Sequence, residues 1–196
     1  MPRLTLLLSC LLIACPGSST KDETGDTGDT GDTEDTGDSP LSSSFVEDLS
    51  EQGGCSDFVL WARNAEDTLV LVLWGEGAAH AAHVAGETIE HNGTIEPEAD
   101  GLALQSVQVW QGEHISQSLC TDNVEETPIF ERTWEGEGGS YTLSATPSGE
   151  AAGGEEPTDV TLQIQGVELS STDAQGSPVV MDEITLEANI GWHAGG

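Results

Sequence analysis

Over most of the chain, apolar side chains recur at every second position in short runs bounded by turn residues, the period of a half-buried β-strand. The last run is the plainest: Ile184, Leu186, Ala188, Ile190 and Trp192 share one parity. Residues 160–164 alternate in the same way. Residues 69–74, Leu-Val-Leu-Val-Leu-Trp, are apolar at both parities and predict a central strand buried on both faces. Residues 102–110 predict another strand, whose apolar parity shifts at Gln105-Ser106, the mark of a β-bulge. A short apolar run at 58–61 ends at a turn over 64–67, and further strands are expected at 129–134 and 140–146. Asn92-Gly93, set between 87–91 and 94–98, predicts a two-residue hairpin. No segment carries a convincing helical period. Glycine-rich breaks at 136–139 and 149–154 separate the later strands, and the second reads as a mobile loop.

Eight or nine short strands in residues 41–196 predict an all-β fold, an antiparallel β-sandwich with a β-barrel as the alternative. A domain of this length buries roughly 70% of its unfolded surface, enough to fold unaided. It is not an immunoglobulin domain by pattern. Cys55 and Cys120 are suitably spaced, but Trp61 and Trp74 fall at awkward distances after Cys55, and Ser118 stands where a tyrosine corner would need tyrosine.

The first 40 residues follow another pattern. Arg3 precedes an apolar run over 4–14 that is too short to cross a bilayer, which takes roughly 20 residues, but suits the core of an export signal. From Pro16 to Pro40 there is almost no apolar side chain, and residues 24–39 read TGDTGDTGDTEDTGDS. Such a segment buries too little to offset its ordering entropy and is expected to be a disordered linker, extended by its own charge. It is not collagen, because Glu34 breaks the glycine period and no proline supports it. Asp26, Asp29 and Asp32 are spaced by three, unlike the alternate oxygens of an EF-hand loop. Only diffuse association of Ca²⁺ or other cations with the linker is expected, and no cofactor.

Leu12-Ile13-Ala14-Cys15 resembles the bacterial lipobox. The resemblance implies that residues 1–14 are a lipoprotein signal peptide, that Cys15 is lipidated, and that 15–40 tether a β-sandwich over 41–196. Leu7-Leu8-Ser9-Cys10 fits the same pattern but leaves a shorter apolar core, and a secretory leader without lipidation is the simpler alternative. Lipobox, Thr-Gly-Asp repeat and single acidic all-β domain together resemble uncharacterised surface lipoproteins of myxobacteria and related predatory bacteria. That resemblance implies anchoring to the cell envelope through the lipid, at the outer membrane, and implies no activity.

Composition narrows the partners. The chain carries 36 acidic and 4 basic residues, a formal net charge of −32. It has no Lys/Arg cluster to displace counterions from phosphates, which excludes nucleic-acid binding and a basic patch for anionic lipid. Of four cysteines, Cys10 would leave with the leader and Cys15 carry lipid, so Cys55 and Cys120 remain as a disulfide pair in an oxidising compartment. Such a bridge stabilises by roughly 4 kcal/mol in the chain-entropy model. Two buried free thiols are the alternative.

Signals for chemistry are few. No nucleophile elbow, zinc-protease helix or phosphate-binding glycine loop occurs. Glu131, Glu135 and Glu137 offer carboxylate pairs at strand spacing, compatible with a metal-dependent hydrolase, but a chain this acidic yields such pairs by chance. His80 and His83 would share a face and bind zinc only on a helix; in the strand or loop expected here they diverge. His91, His114 and His193 have no ligand spacing. Trp74 and Trp192 fall in core-facing patterns. Trp110 shares its parity with Ser106 and Gln108, opposite Val107 and Val109, and so is expected to face water, where an indole can stack on a sugar ring. The resulting expectation is a non-catalytic binding or scaffolding domain on an acidic tether, engaging an envelope protein or polysaccharide.

Overall fold

The computed structural model describes residues 41–97, 101–120, 126–152, 155–173 and 176–191. The expected signal peptide, Cys15 and the Thr-Gly-Asp segment expected to be a linker lie outside these, as do Trp192, His193 and part of the 149–154 segment.

Over the described residues the fold is all-β and antiparallel, with nine strands. In chain order these are β1 (Glu51–Cys55), β2 (Val59–Arg63), β3 (Leu69–Glu76), β4 (Ile89–Thr94), β5 (Ala103–Glu113), β6 (Ile129–Glu137), β7 (Ser140–Pro147), β8 (Thr158–Ser171) and β9 (Val179–Ile190). They form one curled sheet in the order β1-β2-β3-β5-β6-β8-β7-β4, with β9 on the other edge of β8. The sheet turns a corner at β6 and β7. Both run antiparallel to β8 along the same edge, β6 against residues 168–171 and β7 against 158–165. Gly138 and Gly139, at φ 66° and 84°, make the bend between them in a region that side chains rarely adopt. A strand pair that changes sheets at a bend is how orthogonal layers are joined without an interruption in hydrogen bonding. The two layers are therefore halves of one sheet.

One core fills the inside of the curl. Leu60, Leu71, Leu73, Leu104 and Val109 enter it from the first half, and Leu143, Leu162, Ile164, Leu169 and Met181 from the second, all essentially inaccessible to solvent. β3 is buried on both faces, as its unbroken apolar run predicts: Leu71 and Leu73 join this core, while Val70 and Val72 join a smaller cluster on the outside of the sheet. The bulge predicted at Gln105 is present, because Trp74 pairs with Ser106 and the next residue, Gly75, with Leu104.

Two expectations are overturned. Asn92 and Gly93 do not form a hairpin but lie inside β4, which pairs throughout with β7. The reason is steric: the Tyr141 ring lies over Gly93, where an added Cβ would come within 2.8 Å of it. The glycine is selected by an aromatic neighbour on the adjacent strand, not by a turn. Residues 78–85 are likewise not strand or loop but a helix, α2 (Ala78–Ala85). Its N-cap is Gly77 in the left-handed region. Asp57 caps it from across the chain, one carboxylate oxygen accepting from the Gly77 amide at 2.5 Å and the other from the His80 amide at 3.1 Å. Ala78, Ala79 and Ala82 pack into the core. A four-residue helix, α1 (Phe45–Asp48), precedes β1 and buries Phe45.

Candidate functional site

The outer face of β2, β3, β5 and β6 gathers most of the aromatic residues that the inner core excludes. Strand alternation sends Trp61, Val70, Val72 and Trp110 to this face. β6 would not contribute by alternation alone. A second bulge intervenes: Gln111 pairs with Arg132 but Gly112 pairs with Phe130, so Glu131 is an extra residue. A Cβ on Gly112 would collide with the Ile129 carbonyl oxygen, so the two strands can approach closely there only with glycine. The bulge brings Phe130 alongside Trp110, their ring centroids 5.2 Å apart in an edge-to-face contact. On the other side Trp74 lies 5.2 Å from Trp110 at an interplanar angle of 48°. Trp74, Trp110 and Phe130 thus make a continuous row.

The row is graded in exposure. Trp74 and Trp110 are half-buried, whereas Phe130 and its neighbour Ile129 are 49% and 50% exposed. Trp110 does point outward, but it is the middle ring of three and not an isolated platform. Its indole Nε1 donates to Gln108 Oε1 at 2.9 Å, which fixes the ring orientation. Trp74 belongs to this outer cluster rather than to the main core.

The rest of the face is covered by a flap, the 3-10 turn Ile115–Ser118 with Leu119 and Cys120. Ile115 and Leu119 pack on Val70 and Val72. Two fastenings hold the flap. Cys55 and Cys120 are joined by a disulfide with a Cα–Cα distance of 5.6 Å. Arg63 forms the second: it donates to Ser116 Oγ at 2.8 Å and, from Nε and Nη2, to Glu51 Oε2 at 3.0 and 2.6 Å. Asp67 lies 3.6 Å from the same guanidinium and accepts from the Ser116 amide and hydroxyl at 3.0 and 2.8 Å. The guanidinium also sits 5.8 Å from the centre of the Trp61 ring.

The other candidate residues are dispersed. On α2, His80 and His83 fall on one side of the helix, as a separation of three requires. Each turns to the segment before β8: His80 Nδ1 is 3.3 Å from Glu156 Oε1, and His83 Nε2 is 3.0 Å from the Pro157 carbonyl oxygen. The expectation that they diverge is thus corrected. Among the described residues no group of three or more His, Cys, Asp or Glu is arranged to hold a metal ion. Glu131, Glu135 and Glu137 are exposed on β6, the first as the extra residue of the bulge. His114 pairs with Glu126 at 2.7 Å on the surface.

Sequence reasoning missed Phe130 and the Arg63–Asp67–Ser116 cluster. Phe130 reaches its position through a bulge with no local signal, and the cluster joins neighbouring Arg63 and Asp67 to Ser116, which is distant in sequence. Comparison with protein-family models, with curated proteins and with solved structures finds no match to this chain.

Proposed function

We propose that this protein is an exported lipoprotein, anchored to the cell envelope through Cys15, whose β domain works by binding or scaffolding on an acidic tether rather than by catalysis. The observation that best supports a binding role is the aromatic row ending in exposed Phe130 and Ile129. A row of rings held by a bulge, a Gln108 hydrogen bond and a fastened flap is pre-organised, so little ordering entropy is lost when a partner covers it. Aromatic residues in such positions dominate interface energetics. Carbohydrate is the second reading, favoured by the outward indole of Trp110 with polar Gln108 beside it.

Two measurements test this. Mass analysis of the mature chain should find a diacylglyceryl cysteine at position 15, and Cys15→Ser should release the protein from the membrane fraction; an unmodified N-terminus refutes the anchor. Binding of the domain to purified envelopes should weaken about tenfold or more in a Trp110→Ala/Phe130→Ala variant, as expected for loss of hot-spot aromatics. Binding that survives protease treatment of the envelopes selects a polysaccharide, and binding that is lost selects a protein. Equal binding by the variant removes the row as the contact face.

A further inference from the structure

The curled sheet does not close. Among the described residues β1 pairs with β2 alone and β9 with β8 alone, so each presents an edge without a ladder partner, and the two edges lie side by side. At one end the gap is sealed: the Gly191 amide donates to the Ser56 carbonyl at 2.5 Å, and a Cβ on Gly54 would lie 2.7 Å from Ile190 Cγ2. Further along, the contact across the gap is made by a side chain, with the Glu187 amide donating to Gln52 Oε1 at 3.3 Å. Beyond that point the edges part, and a cleft of about 520 Å³ opens between them. Its apolar surfaces are Ala62, Ile184 and Leu186, with Val46 and Leu49 on the side of α1. Among the described residues, no backbone hydrogen bond joins β1 to β9.

We propose that this cleft is a binding site for an extended segment of a basic partner protein, which enters as an added strand along the free edge of β9, opposite Glu51 and Gln52. Unpaired amide and carbonyl groups on a free edge supply the main-chain hydrogen bonds of strand addition, and the apolar surface takes alternate side chains. Charge selects the partner. Glu183 lines the cleft, Asp182 and Glu187 are exposed on the same strand, and Glu51, also in the lining, is paired with Arg63, which Asp67 engages as well. A second copy of a chain with a net charge of −32 would be repelled, whereas lysine or arginine flanking an apolar strand is attracted. This site is separate from the aromatic row, and neither reading depends on the other.

The test uses the full chain and a fluorescein-labelled peptide of about nine residues that alternates valine with lysine and threonine, the strand-addition pattern. Three controls accompany it: the same peptide with glutamate for lysine, one with proline at alternate positions, and the Thr185→Trp variant. Thr185 is exposed at the cleft, so the indole obstructs entry without disturbing the core. The basic peptide should bind at least about tenfold more tightly than the acidic or proline-containing ones, because charge and ladder hydrogen bonds are both required. Thr185→Trp should weaken it by a similar factor with circular dichroism and Tm unchanged. Amide exchange should slow at residues 51–52 and 183–187 on binding. Equal affinity for the proline-containing peptide, or equal affinity of the variant, would show diffuse attraction to an acidic surface and overturn the proposal. So would the absence of binding. A dimer of the free chain that Thr185→Trp dissociates would give the cleft to a second copy and overturn it as well.

Discussion

The two faces of β3 are covered in opposite ways. Inside, Leu71 and Leu73 meet side chains from both halves of the sheet, and the cover is the fold itself. Outside, Val70 and Val72 meet a short flap that has little apolar area of its own, Ile115 and Leu119, and the flap is fastened by a disulfide and an arginine. A large core needs no pin because each residue is held by many neighbours. A small cluster under a turn cannot offset the entropy of ordering that turn, so covalent and ionic links replace burial.

This contrast can be broken from either side. The largest effect is expected inside: Leu71→Ala, at a site with no solvent access, should cost about 2–5 kcal/mol of unfolding free energy in urea melts, from lost transfer energy and the cavity left behind. Replacing Cys55 and Cys120 by alanine should cost about 2–4 kcal/mol, with faster amide exchange over 115–119 than over β8. If exchange accelerates uniformly, the bridge acts on the whole domain and not on the flap. Arg63→Met keeps the apolar stem but leaves Asp67, whose side chain is 15% exposed, without its cation; about 1–2 kcal/mol should be lost. Asp67→Asn in the same background should restore part of it. Phe130→Ala should change stability by less than about 0.5 kcal/mol, as for an exposed site. If it costs as much as Leu71→Ala, the aromatic row is a structural cluster and not an open contact face.

Much of the inner architecture was legible because burial imposes a period. The alternation at 160–164 and 184–190 and the two-sided run at 69–74 report directly which face each residue meets. The parity shift at Gln105 located a bulge because apolar residues flank it on both sides. Other features depend on partners that no local window contains. α2 has no capping residue of its own, since Gly77 precedes it and Asp57 supplies the cap from twenty residues upstream. Asn92-Gly93 carries a turn signal that the Tyr141 ring overrides. The candidate contact face was half legible: Trp110 could be assigned outward from parity, but Phe130 joins it through a bulge that only the close approach of Gly112 to Ile129 explains.

The position of the disulfide also governs how the domain bears mechanical load. Tension drawn on the chain from the N-terminal side reaches Leu41, then α1, then β1, and is stopped at Cys55, where it passes through sulfur to Cys120. Peeling from that side therefore releases the stretch before Cys55, a run-out of about 50 Å at full extension, and then passes straight to the chain after Cys120. The strands within the loop, β2 to β5, carry none of that force between their ends while the bond is intact. The cross-link gives a short shock absorber on that side and keeps Trp74 and Trp110, two of the three rings of the candidate contact face, out of the load path.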